Sequence, residues 1–145
     1  MQKTVLFSLL FMASIFQVLS QTNSESNTIS LEGVDWKLFF NNTSDKDLLA
    51  GFMIERKQNE ESDRWGNFIS FKDNSFHTWY SAPCGVDCFT KIKGSLKWLN
   101  STTMELTVLE ITRSKLCQEE SELNIEKTAQ FEVRQSASGF TFKRL

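Results

Sequence analysis

Three cysteines, one histidine and four tryptophans are the side chains of this sequence whose types could do specific chemistry, and most of them fall in one stretch. Residues 75–117 hold Cys84, Cys88, Cys117, His77, Trp79 and Trp98. His77 with the three thiols would make a Cys3His set, sufficient in ligand number for structural zinc. The spacing matches no common zinc module, so no metal is expected. A thiol nucleophile with His77 as base would need a thiol of lowered pKa, and no flanking residue supplies that setting. Acidic residues are numerous, yet none stands in a distinctive pair, and no glycine-rich phosphate loop is present. No catalytic residue and no cofactor is expected.

Disulfide chemistry is the simpler use of the cysteines. Thr90 to Leu99 and Thr102 to Arg113 read as a hairpin, and extending it to its base brings Cys117 opposite the segment between Cys84 and Cys88. Either long-range bond would clip that base. Cys84 with Cys117 is the expected pairing and Cys88 with Cys117 the alternative, while a local Cys84–Cys88 bond is disfavoured by disulfide geometry. An odd count leaves one thiol over.

The large rings, Trp36, Trp65, Trp79, Tyr80 and Trp98, are explained by ordinary core packing, because aromatic side chains dominate burial energetics in small domains. A small β-barrel can also hold one apolar ligand among such rings. His77 and Trp79 share a strand face with Phe68 that is distinct from the main apolar face. His77, Trp79, Phe68, Tyr80 and Trp98 are therefore the candidate ligand-binding residues.

These residues must be positioned by strands. In the first strand Val34, Trp36, Leu38 and Phe40 alternate with Asp35, Lys37 and Phe39, the period of a half-buried strand. Residues 48–57 suit a second strand, although 47–50 could begin a short helix. Asp73-Asn74 suits a tight turn with positive φ between Trp65–Lys72 and Ser75–Ser81. That turn sets Phe71 against Phe76, Ile69 against Thr78, Phe68 against Trp79 and Ser70 against His77. In the next hairpin Trp98 faces Met104, Leu96 faces Leu106 and Gly94 faces Val108, which puts Lys97 across from Glu105 on the wet face. Beyond Val108 the apolar parity shifts, as a β-bulge would shift it. Residues 118–127 read as an acidic connection, and the alternation at Phe131 and Val133 and then at Phe140 and Phe142 gives a last hairpin. About eight strands so spaced predict an all-β domain, an up-and-down, lipocalin-like small barrel or barrel-like sandwich.

Residues 1–20 carry one early cation, Lys3, then a long apolar run, and end in Val18-Leu19-Ser20. That is the layout of a cleaved secretory signal peptide, too short and interrupted for a membrane anchor. Residues 21–30, rich in Ser, Thr and Asn, read as a polar spacer, and residues 31–145 as a single all-β domain. A formal charge of −2, which loss of Lys3 lowers by one, argues against a nucleic-acid partner. The sequons at Asn41, Asn42 and Asn100 would be glycosylated only in a eukaryotic secretory host.

Trp36 in the first strand, the F-x4-F pattern at Phe71 and Phe76, the Cys84 to Cys88 loop followed by Gly94 and Trp98, the later Cys117 and the alternating C-terminal strand together resemble small exported bacterial lipocalin-like or META-type β domains. The resemblance spans most of the chain after the signal. It implies a secreted, periplasmic or cell-envelope β domain without enzymatic activity. Such a module would bind a small lipophilic molecule, or else act as a structural or interaction domain for an envelope protein, with no membrane span once the signal is removed.

Overall fold

The computed structural model of the chain describes residues 29–40, 47–58, 61, 63–84 and 87–145. The expected signal segment, most of the spacer, and the first turn with the Asn41 and Asn42 sequons lie outside those residues. Among those described, no helix is long and apolar enough to cross a membrane.

Eight antiparallel strands close into a barrel: β1 (Asp35–Phe40), β2 (Phe52–Arg56), β3 (Gly66–Lys72), β4 (Ser75–Ser81), β5 (Thr90–Trp98), β6 (Thr103–Arg113), β7 (Glu122–Gln135) and β8 (Gly139–Arg144). From β3 to β8 each strand pairs with the next, as short connections favour. The remaining step is different. β1 lies between β2 and β3, and β2 closes the barrel against β8. Both β2 and β3 run antiparallel to β1, so the link between them returns from one end of the barrel to the other along the outside of β1. Lys37 on that outer face holds Asp63 of the link at 3.0 Å, and Lys57 lies 4.4 Å from the Phe68 ring. Lys57 thereby covers the Phe68 end of the second aromatic face, while His77 at its other end stays exposed.

Turn chemistry explains the hairpin registers. Asp73 and Asn74 both take positive φ, 49° and 58°, which matches the strand twist and pairs Phe71 with Phe76 and Phe68 with Trp79 as expected. In the β5–β6 hairpin Lys97 opposes Glu105 and Trp98 opposes Met104, again as the side-chain pattern requires. Asn100 Oδ1 accepts from the backbone N–H groups of Thr102 and Thr103 at 2.9 and 2.8 Å, closing that connection. The parity shift is a bulge at Leu109. Gly94 pairs with Val108 while Lys93 pairs with Glu110, leaving Leu109 unpaired and 44% exposed. Asp47 and Leu48–Ala50 form a capped 3₁₀ turn, Asp47 Oδ1 accepting from the Leu49 N–H at 2.9 Å, and Gly51 at φ 109° releases the chain into β2. Both alternatives weighed for that segment thus occur in succession.

Residues 118–127 are not all connection, because β7 begins at Glu122. Of its first seven residues only Ile125 packs against the core, so they carry no period-two signature, and Asn124 at φ 54° interrupts the register with β6. Ile29, at the end of the expected spacer, packs against the core.

An eight-stranded barrel is just wide enough for side chains to fill. Phe52, Phe131, Phe142 and Phe71 do so at the middle, all at or below 2% exposure, with Phe52 stacked on Phe142 at 4.3 Å. Chain direction gives the barrel two unlike ends. The tight turns at 73–74, 99–102 and 136–138 gather at one, while the 3₁₀ turn and the longer segments 82–89 and 114–121 gather at the other, which is the mouth.

Candidate functional site

The mouth is built from strand ends whose inward positions are mostly aliphatic, with the Phe40 and Tyr80 rings to one side of the open space. Leu48, Ile92, Val108 and Ile111 floor a cleft of about 800 Å³. Leu48 is 1% exposed and drops into the barrel from the 3₁₀ turn. Ile111 opposes Ile92 only because the Leu109 bulge has reset the parity of β6. One side wall is the Cys88–Cys117 disulfide, with Leu116 at the rim, 57% exposed.

The disulfide corrects the expected pairing. Cys117 bonds Cys88, with a Cα–Cα distance of 4.6 Å, and Cys84 is the free, exposed thiol. Backbone register decides this. Ser114 N–H donates to Phe89 O at 2.9 Å and Phe89 N–H donates to Ser114 Oγ at 3.1 Å, which sets Phe89 against Ser114. The Cys117 N–H then turns back onto Ser114 O at 3.0 Å and delivers its sulfur to the residue before Phe89. Cys84 lies beyond the end of β4 and outside that register.

Charged groups ring the floor. Arg113, whose side chain is 14% exposed, holds Glu119 at 3.1 Å and Glu122 at 3.3 Å and donates to the Glu120 carbonyl. Glu122 also accepts from Lys127 at 2.6 Å, and the Lys127 hydrogen bond, then that from Arg113, holds its carboxyl below the ordinary value of 4.5. These contacts fold segment 114–121 around Arg113. By contrast, Arg144, on the inward-facing series of β8 that includes Phe140 and Phe142, has no ion-pair partner among the described residues. A depressed carboxylate stabilises the fold above its unfolded pKa, and the contribution is lost as pH falls through the lower folded value. Glu122→Gln is accordingly expected to flatten the loss of stability below about pH 4.5 relative to wild type, by urea denaturation at pH 6 and pH 3. An unchanged pH slope would show that the clamp contributes nothing.

The candidate residues drawn from sequence do not share this site. Phe68, Trp79 and His77 form a ladder on the outer face of β3 and β4, with ring centroids 5.5 and 5.1 Å apart. Phe68 is 1% exposed there beneath the β2–β3 link. Trp79 makes near-parallel contacts with both rings and is half-buried. His77 Nδ1 is 3.2 Å from Ser70 Oγ, and two of the three thiols that a Cys3His metal set would require are consumed by the disulfide. Trp98 is at the tight-turn end, packed against the core. Only Tyr80 comes near the mouth. It lines a recess of about 10 Å³, the room of a single water, which shares Cys88, Thr90 and Ile92 with the cleft. The residues that sequence reasoning missed are Leu48, Ile111, Leu116 and Arg144. A signal existed for Ile111 in the parity shift after Val108, but none for the others.

No known protein family, curated protein or solved structure matches the chain. Function must therefore be argued from the site.

Proposed function

We propose that the protein is an exported, non-enzymatic, lipocalin-like binding module that holds a small amphiphile in the barrel mouth. The observation that carries this reading is the division of the barrel interior, filled by phenylalanines through the middle and open at one end above an apolar floor with a charged rim. A ligand there would bury its apolar body against the half-buried Ile111 and the exposed Leu116 and leave a polar end among Arg144 and its neighbours. Small-molecule sites combine these features, apolar walls with a few polar groups that orient the guest. A disulfide in the mouth wall supports passage through an oxidising compartment, in keeping with the signal-like segment at residues 1–20.

A second reading is an envelope or secreted interaction domain without a ligand. It is favoured by Leu109 and Leu123, exposed at 44% and 62% beside the outer-face groove that His77 lines.

One experiment separates the two. Anilinonaphthalene sulfonate fluorescence, with decanoate as competitor, is expected to show saturable binding that Leu116→Asp weakens about three- to tenfold, the loss of part of one leucine's burial. Absence of saturable binding, or binding untouched by Leu116→Asp and abolished by Leu109→Asp with Leu123→Asp, would overturn the mouth as a ligand site and favour the second reading.

A further inference from the structure

At the tight-turn end, remote from the mouth, lies an open cleft of about 820 Å³ whose charge is all of one sign. Arg56 and Lys57 line it, and no residue lining it carries a carboxylate. The nearest carboxylates are held outside the lining, Glu55 by the Ser138 hydroxyl at 2.9 Å and Asp35 at 4.0 Å from Lys57.

Arg56 is the organised element. It ends β2 opposite Trp36, and its guanidinium lies over the indole at 5.8 Å from the ring centroid. The indole is itself immobilised, 3% exposed, its Nε1–H donating to Leu31 O at 2.9 Å and its ring set edge-on against Phe140 at 5.5 Å. This cation–π contact keeps the guanidinium beside the indole, and the arginine is exposed, so its N–H groups are open to a ligand. Among the described residues no acid pairs with them. Lys57 also lines the cleft, but its ammonium lies over the outer-face Phe68 ring and 4.0 Å from Asp35, so Arg56 is the cation open to a ligand.

The opposite wall is the β7–β8 turn. Arg56 N–H donates to Ser138 O at 3.0 Å, strapping the turn to the base of the arginine. Gly139 permits that approach, since a Cβ there would stand 1.9 Å from Ile54 O. Ser136 Oγ accepts from Gly139 N–H at 3.2 Å, which leaves its own proton to donate into the cleft beside the Gln135 amide.

We propose that this cleft is a binding site for a small oxyanion of the phosphate, sulfate or carboxylate class, held by the Arg56 guanidinium with the Ser136 hydroxyl and the Gln135 amide in support. The paired N–H donors of a guanidinium match the paired oxygens of such groups. The site is independent of the mouth, and either can fail without the other.

The test is a titration of the ¹⁵N-labelled protein with inorganic phosphate, sulfate and acetate, against sodium chloride at matched ionic strength. Saturable shifts of the Trp36 indole N–H and the Arg56 Nε–H are expected with at least one oxyanion. Arg56→Gln should weaken binding about tenfold or more, Arg56→Lys should fall between it and wild type, and Lys91→Gln near the mouth should leave it unchanged. Amide positions elsewhere in the spectrum verify that each variant is folded. Shifts that chloride reproduces, no saturation with any of the three anions, or full affinity in Arg56→Gln would overturn the assignment.

Discussion

Phe52→Ala is expected to cost about 3–5 kcal/mol of folding stability, the range for deleting a fully buried phenylalanine, and to lower Tm by roughly 10–20 °C for a domain of this size. Phe52 is 0% exposed, stacks on Phe142 at 4.3 Å and meets the edge of Phe131 at 5.8 Å. It also stands where β2 pairs with both β1 and β8, the junction that closes the barrel. The packed rings around it leave little room for collapse, so most of the vacated volume persists as cavity. A domain of this kind has only about 5–15 kcal/mol in total, so the loss is a large share. Met53→Ala, on the same strand but facing solvent at 43% exposure, should change stability by no more than about 0.5 kcal/mol. Urea denaturation of both variants measures the contrast. Equal effects would mean that the interior is not packed as described.

The second large effect is loss of the disulfide. Cys88→Ser with Cys117→Ser opens a loop of sequence separation 29, and chain entropy alone assigns about 3–4 kcal/mol to that closure. Denaturant unfolding of the double variant should show a loss of that order, whereas a loss below about 1 kcal/mol would assign the bond a negligible role. The structural consequence differs from that of Phe52→Ala. Phe52 supports the whole barrel, while the disulfide joins the segments before β5 and after β6 at the mouth. Hydrogen exchange should therefore quicken first in residues 114–121, where Ser114 is held by Phe89, and dye binding should weaken before global unfolding sets in. Thiol titration of the unfolded wild-type protein should find one reactive group, Cys84.

Local pairing was the legible part of this sequence. The β3–β4 and β5–β6 registers follow from residues a few positions apart: Asp73-Asn74 for one, and the agreement of the Trp98–Met104 and Lys97–Glu105 pairs for the other. Period-two alternation with turn residues at both ends specifies such hairpins, because a one-residue slip would send every apolar side chain to the wrong face. The all-β class and the bulge near Val108 were readable for the same reason. The start of β7 was not, since of residues 122–128 only Ile125 packs against the core, too little to leave a pattern. His77 and Trp79 could be assigned to a second face, but the burial of Phe68 on it could not be known without the placement of Lys57 after β2.

What the tertiary structure alone decided depends on contacts between distant parts of the chain. Placement of β1 between β2 and β3, and closure of β2 on β8, join residues that share no local signal. Selection of Cys88 over Cys84 rests on the Phe89–Ser114 hydrogen bonds, a register set by the whole length of the β5–β6 hairpin. Both proposed sites have the same origin. Leu48, Ile111, Leu116 and Arg144 come from four separate elements that meet because the long connections gather at one end of the barrel, and Arg56 meets Trp36 and the 135–138 turn because β2 is held between β1 and β8. Alternation along a strand determines which way a side chain points; closure of the barrel determines what it meets there.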